Sequence, residues 1–161
     1  MNKIGFGGGC HWCTEAIFQS LHGVEQVEQG WITSTPPFDT YSEGVIVHYG
    51  SDIPLDRLIE VHLLSHSSTS LHSMRKKYRS AVYYFNVEDK RVIEEAIRRI
   101  ELDSETCYIT QALPFVTFKE NTKNYLNYYK KNKQAPFCRT YIDPKLKVLR
   151  EKFGRQLKND F

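Results

Sequence analysis

The chain is predicted to fold as a mixed α/β (α+β) protein, a sandwich with a ferredoxin-like β-α-β-β-α-β core and a C-terminal helical extension. Three observations carry this expectation. A short apolar strand runs into a cluster of glycines, the run Val45-Ile46-Val47 is apolar without alternation, and apolar stripes of helical period alternate with the strand-like segments.

The elements follow in order. Residues 3–6 (KIGF) form a first strand that ends in glycines. Residues 14–21 (TEAIFQSL) place Ala16, Ile17 and Phe18 near Leu21 on one helix face, and Gly23 is positioned to stop that helix as a left-handed cap. Residues 24–31 alternate polar and apolar and read as a strand. Residues 32–40 read as a loop, because Pro36 and Pro37 forbid regular structure. Residues 41–50 (YSEGVIVHYG) are strongly β and covered on both faces.

Residues 52–66 form an amphipathic helix with Leu55, Leu58, Ile59 and Leu63 on its stripe, His62 beside them and Pro54 in its first turn. A polar segment (SSTSLHSMRKK) leads to a strand at residues 80–85. A third helix spans residues 87–102, with Glu88 or Asp89 near its positive end. Residues 108–120 are extended and broken by Pro114. Residues 121–132 (NTKNYLNYYKKN) read as a helix that packs Tyr125, Tyr128 and Tyr129 on the sheet, and a last helix opens at Pro144. No repeat, low-complexity block or linker interrupts the pattern, so residues 1–161 are expected to be a single domain.

The net charge of +3 is too mild to support nucleic-acid binding. No apolar run approaches a membrane span, and no signal peptide is visible. Cys10, Cys13, Cys107 and Cys138 do not make a disulfide scaffold; their spacing reads as thiol chemistry in a reducing compartment. A cytoplasmic monomer, with neither nucleic acid nor membrane as partner, is the expectation.

The stretch GFGGGCHWCTE (residues 5–15) carries the chemistry. A phosphate loop would need Lys followed by Ser or Thr after the glycines, and a dinucleotide fingerprint would need glycine where Cys10 stands. A zinc site needs four ligands, and Cys10 and Cys13 have no second close pair. The remaining reading is a sharp strand-to-helix turn that presents Cys10 at a helix N-terminus, where exposed N–H groups and the helix dipole stabilise a thiolate. Cys13 is near enough in sequence to attack an oxidised Cys10. Two inert buried cysteines, a tertiary Cys₄ zinc site and a thioredoxin-like C-x-x-C remain open beside it. His62 and His66 read as packing or capping groups.

GGGCHWCTEAIFQSLHGV resembles the active-site signature of the A-type peptide methionine sulfoxide reductases, G-C-F-W-x-x-E followed by an amphipathic helix. YSEGVIVHYGSDIPLDRLIEVHLLSH resembles that family's glutamate strand, helix and following histidine. KKYRSAVYYFN resembles its Q-Y-R-S-A-[IV]-[YF] segment, and FCRTYIDPKL its C-terminal cysteine region. The resemblance spans nearly the whole chain and implies thiol-dependent reduction of methionine S-sulfoxide, free or in proteins, to methionine. It implies Cys10 as nucleophile and Glu43 as the acid that protonates the sulfoxide oxygen. Tyr78 would hold that oxygen, and Tyr41, two residues before Glu43 on the same strand face, would supply a second hydroxyl.

Trp12 would wall the methyl pocket, with His11 beside it where the family carries Phe. Cys10 would become a sulfenic acid, Cys13 or Cys138 would resolve it to an intramolecular disulfide, and thioredoxin or a similar dithiol would reduce that bond without any bound cofactor or metal. Cys107 is expected to be structural. The chain departs from the family in His11, in a rim loop cut to GWITSTPPFDTYSE, and in STSLHSMRKK where the family has Gln-Gly-x-Asp. A non-catalytic binder of methionine sulfoxide and a general thiol–disulfide exchanger stand as the competing readings.

Overall fold

The computed structural model describes residues 2–66, 78–159 and 161. β1 (Asn2–Gly7), α1 (His11–Gln19), β2 (Val24–Thr33), β3 (Ser42–Tyr49), α2 (Leu55–Ser65) and β4 (Ala81–Tyr84) follow in the expected order. After them come α3 (Val87–Ser104), β5 (Gln111–Pro114), β6 (Thr117–Glu120), the single turn α4 (Tyr128–Lys131) and α5 (Asp143–Phe153). The strands make one six-stranded sheet in the order β5-β4-β1-β3-β2-β6. Its middle, β4-β1-β3-β2, interleaves two β-α-β halves with antiparallel neighbours, as the ferredoxin-like plan requires.

Side-chain alternation assigns the two faces of the sheet. Ile4, Phe6, Val45, Val47 and Val82 join the helices in the larger apolar cluster, where Phe6 stacks on Phe18 of α1 with ring centroids 4.5 Å apart. Ile32, Ile46, Ala81, Tyr83 and Leu113 form a second cluster on the opposite face. Val45, Ile46 and Val47 are therefore all buried, which is why the run does not alternate. The stripe of α2 buries Leu58, Ile59 and Leu63, and α3 turns Ile93, Ala96, Ile97 and Ile100 inward.

β5 pairs parallel to β4 at one edge and β6 antiparallel to β2 at the other. Only Phe115 and Val116 separate these two strands, so the sheet curls until its edges approach. Phe115 N–H donates to Tyr84 O at 2.9 Å and Val116 N–H to Thr33 O at 3.1 Å, which seams the curl over the second cluster. Pro114, the last residue of β5, ends one pairing before the next begins. No helix among the described residues is long and apolar enough to cross a membrane.

Three local expectations are corrected. α1 stops at Gln19 with Ser20 in right-handed conformation, and Gly23, at φ +90°, turns the chain into β2 instead of capping the helix. Residues 121–132 are not one helix. They hold a 3₁₀ turn (Lys123–Tyr125), a left-handed Asn127 at φ 55° and the one-turn α4, because interactions with α1 override the helical spacing of the tyrosines. Cys107 is exposed between α3 and β5 and so is not a packed structural thiol.

Candidate active site

The glycine run does its work where β1 meets α1. Gly8 adopts φ +146°, a conformation other residues avoid, and a Cβ there would lie 2.4 Å from the His66 ring. The turn leaves Cys10 as the N-cap of α1, partly exposed, ahead of the unsatisfied amides of the first turn. The Cys10 thiol is pulled down to about 7. The largest cause is a hydrogen bond from the Cys13 thiol; the N–H groups of Trp12 and Cys13 add to it, while burial and the charge of Glu43 oppose it. Cys13, buried one helical turn on, is pushed up chiefly by the same bond and then by burial. The thiolate therefore belongs to Cys10, with Cys13 as its donor.

Glu43 shares the strand face of Val45 and Val47, the side on which α1 lies. It is buried at 6 % exposure, and its Oε1 accepts the His11 N–H at 3.2 Å. Glu43 and Cys10, expected from the sequence as acid and nucleophile, thus both lie at the first turn of α1. Tyr78 is half-buried just ahead of β4, and its neighbour Arg79 donates its own N–H to Ser42 Oγ at 2.8 Å, beside Glu43. Tyr41 lies one residue outside β3 and is 53 % exposed, so it stands at the rim beyond the strand alternation that was expected to aim it.

His11 is buried at 5 % exposure and does not line an open methyl site. Its Nδ1 bonds Gly30 O at 2.9 Å, its Nε2 lies 3.5 Å from Glu43 Oε1 and 3.4 Å from Asn121 Nδ2, and Trp31 meets its ring edge-on. Trp12 turns the other way. It stacks on Tyr128 with centroids 4.1 Å apart and on Tyr125 at 5.4 Å, and Phe137 meets it edge-on. The aromatic wall is therefore composite, and Tyr125 and Tyr128 belong to the site rather than to a helix on the sheet.

Glu15 anchors that wall. Only 1 % exposed, it accepts the N–H groups of Asn127 at 3.0 Å and Tyr128 at 3.1 Å. Burial pushes its carboxyl up, and those two bonds together with the Gln29 amide pull it back. Cys138 is fully buried in a π-helical turn (Cys138–Ile142) and joins the apolar cluster that holds Cys13 and touches Cys10. Burial, then Asp143, pushes its thiol up.

Sequence reasoning passed over Arg79. Its guanidinium is buried against Phe38 and Tyr83, and it donates to Tyr83 Oη at 3.0 Å, Ile32 O at 3.1 Å and Thr40 O at 3.2 Å, tying the shortened rim loop to the sheet. Its place next to Tyr78 in the Y-R-S segment was the available signal. His62 packs on Phe6 at 4.8 Å, and His66 Nδ1 bonds His62 O at 2.5 Å, so both act as packing and capping groups. Among the described residues no cluster of three His, Cys, Asp or Glu is placed to hold a metal ion. The STSLHSMRKK departure lies outside the described residues.

Residues 2–157 match the family model described as Peptide methionine sulfoxide reductase. The chain is 32% identical to the peptide methionine sulfoxide reductase MsrA of Acinetobacter baumannii (strain AYE) over 174 residues, spanning 99% of this chain and 100% of the relative. Among solved structures, Mxr1 from Saccharomyces cerevisiae in reduced form shares its fold with a TM-score of 0.71 at 18% identity, over 86% of this chain and 90% of that one. Mxr1 in complex with Trx2 gives a TM-score of 0.59 at 16% identity, over 76% and 82% of the two chains.

Proposed function

The chain belongs to the peptide methionine sulfoxide reductase family, and on that premise we propose that Cys10 attacks the sulfur of methionine S-sulfoxide while Glu43 protonates its oxygen. The observation that carries this assignment is geometric: Cys10 caps the start of α1, partly exposed, and the buried Glu43 carboxyl is anchored on the N–H of the next residue.

In the first half-reaction the Cys10 sulfur first bonds the sulfoxide sulfur; passage of the protonated oxygen to Cys10 then breaks that S–S bond and the substrate S–O bond and leaves an S–O bond on Cys10. The Cys10 thiolate gives up two electrons, the sulfoxide sulfur gains them, and the Glu43 proton completes the hydroxyl: thiolate, sulfoxide and proton become sulfenic acid and thioether. Tyr78 orients the oxygen, with Tyr41 as a rim hydroxyl, and Trp12 backed by Tyr128 gives the methyl group an aromatic surface. Cys13 then attacks the sulfenic sulfur. Its proton leaves with the hydroxyl as water and a Cys10–Cys13 disulfide forms. The bond that chiefly held the Cys13 thiol up ends once Cys10 is oxidised, so Cys13 becomes a better nucleophile when it is needed.

Cys138 exchanges with that disulfide in turn, and an external dithiol of the thioredoxin kind reduces the product in a cytoplasmic setting. The chain acts as a monomer and needs no bound cofactor or metal. A yeast relative's structure in complex with Trx2 supports that class of reductant. A pure binder would not need a lowered thiol paired with a buried acid, which disfavours that reading.

Assay with dithiothreitol and both epimers of a blocked methionine sulfoxide tests the assignment. Turnover of the S form, absent in Cys10→Ser and Glu43→Gln, is expected. Cys13→Ser is expected to release one methionine per enzyme and then stall with a thioredoxin-type reductant. Wild-type rates in Cys10→Ser would overturn the assignment.

A further inference from the structure

The ring wall beside Cys10 does not stop where a methyl group would end. Phe137 meets Trp12 edge-on with centroids 5.3 Å apart, and Tyr141 packs on Phe137 at 5.0 Å. With Tyr125 and Tyr128 on the Trp12 faces, five rings form one ladder that opens to solvent at both ends: Tyr125 is 45 % exposed and Tyr141 56 %. The described residues hold one other exposed aromatic ring, Tyr41, and it stands at the rim of the same site. Exposed rings gathered in one place mark a binding face. The Tyr141 ring lies at most about 10 Å from Trp12, a span that about three residues of extended chain cover. A lone methionine sulfoxide held at Trp12 leaves it bare, whereas a polypeptide carrying that residue passes over it.

Charge indicates which polypeptide. Residues 121–142 carry four of the five rings and hold Lys123, Lys130, Lys131, Lys133 and Arg139 without one Asp or Glu, whereas residues 1–118 hold 15 acidic residues against 10 basic. Lys130 and Lys133 lean over the Phe161 ring. Lys131 Nζ donates to Lys123 O at 3.1 Å, which keeps both near the Tyr125 end. At the other end Arg139 is exposed on the turn between Phe137 and Tyr141, and Lys145, four residues past Tyr141, donates to Ser65 O at 2.8 Å. Asp143, the first acidic residue after the segment, accepts the Tyr129 hydroxyl at 2.7 Å.

We propose that Phe137 and Tyr141, with Arg139 and Lys145, form a subsite for the polypeptide that bears the oxidised methionine, and that this subsite selects an acidic side chain two or three residues from the sulfoxide. The rings cover the passing chain, and the guanidinium and ammonium groups pair with its carboxylate. The proposal rests on the reading of Cys10 and Trp12 as the sulfoxide site and adds to it the class of protein substrate.

The test compares blocked methionine S-sulfoxide with heptapeptides centred on it, assayed with dithiothreitol, whose residues two and three positions from the centre are all Glu, all Ala or all Lys. The Glu peptide should exceed the blocked residue roughly tenfold in kcat/KM through a lower KM, and the Lys peptide should fall below the Ala peptide. In about 1 M salt, where the Debye length is about 3 Å, the spread between Glu and Lys should shrink severalfold. Tyr141→Ala and Arg139→Glu alter exposed side chains; each should bring the Glu-to-Lys ratio close to one and leave the blocked residue at its wild-type rate. Equal kcat/KM for the three peptides would overturn the proposal. So would a Tyr141→Ala protein that keeps the peptide ratio and instead raises the KM for a thioredoxin-type reductant, since the patch would then belong to that partner. If neither the blocked residue nor any peptide is turned over, the reading of Cys10 fails; if all are turned over alike, only the subsite does.

Discussion

The two parts of the molecule that meet at Cys10 are held by different forces. The sheet and its helices are organised by burial: Phe6 stacks on Phe18, Val45 and Val47 face α1, and α2 and α3 present regular apolar stripes. The segment from Asn121 to Ile142 drapes over α1 with little regular structure and is fastened by individual contacts. These are the Trp12–Tyr128 stack, the Glu15 carboxylate on two backbone amides, the Gln29 bond to Tyr125 O, and Tyr129 Oη on Asp143 at 2.7 Å. In the first region many interchangeable contacts define a shape, and damage appears as lost stability. In the second, few contacts define a geometry, and damage appears as a misplaced wall beside Cys10.

Substitutions can break or sharpen that contrast. The largest effect is expected from Phe6→Ala, which removes a fully buried ring and should cost about 3–5 kcal/mol in denaturant unfolding, while molecules that remain folded keep their turnover. Glu15→Ala leaves the Asn127 and Tyr128 amides without their acceptor and should cost about 1–3 kcal/mol. Hydrogen exchange there should rise locally, with activity lost beyond what unfolding explains. Uniform exchange across the whole chain would instead merge the two regions into one cooperative unit.

Cys13→Ala removes the bond that chiefly lowers Cys10. The thiol pKa should rise from about 7 toward its ordinary value, leaving less thiolate at neutral pH, and alkylation of Cys10 should shift to higher pH with stability little changed. An unshifted alkylation profile would show that the helix-end amides alone suffice. Val87→Lys sets the floor: at 80 % exposure it should change stability by no more than about 0.5 kcal/mol in thermal unfolding.

The same division explains what the sequence made legible. Val45-Ile46-Val47 and the Leu58-Ile59-Leu63 stripe announce their elements because burial imposes a period that can be read locally. Cys10 and Cys13 announce a thiol pair because three positions on a helix are spatial neighbours. Tyr125 and Tyr128 share that spacing, yet Asn127 turns left-handed between them and both rings go to Trp12, so the period misleads. His11 is legible as an unusual residue but not as part of a network, since Gly30 and Asn121 lie 19 and 110 positions away and no local pattern joins them. Glu15 stood inside the recognised motif without a stated task. Its partners are 112 and 113 positions downstream.

One further tie has a consequence for biogenesis. Leu21 bridges Leu157, His22 N–H reaches Gln156 O at 2.6 Å, Lys158 N–H reaches Ser20 O at 2.7 Å, and Lys158 Nζ reaches Val24 O across 134 positions. A ribosome delivers the helix bearing Cys10 well before the residues that clamp its far end. Until translation brings out residue 158, the nascent polypeptide carries a thiol whose seat is unfinished. Its reducing chemistry waits for that clamp.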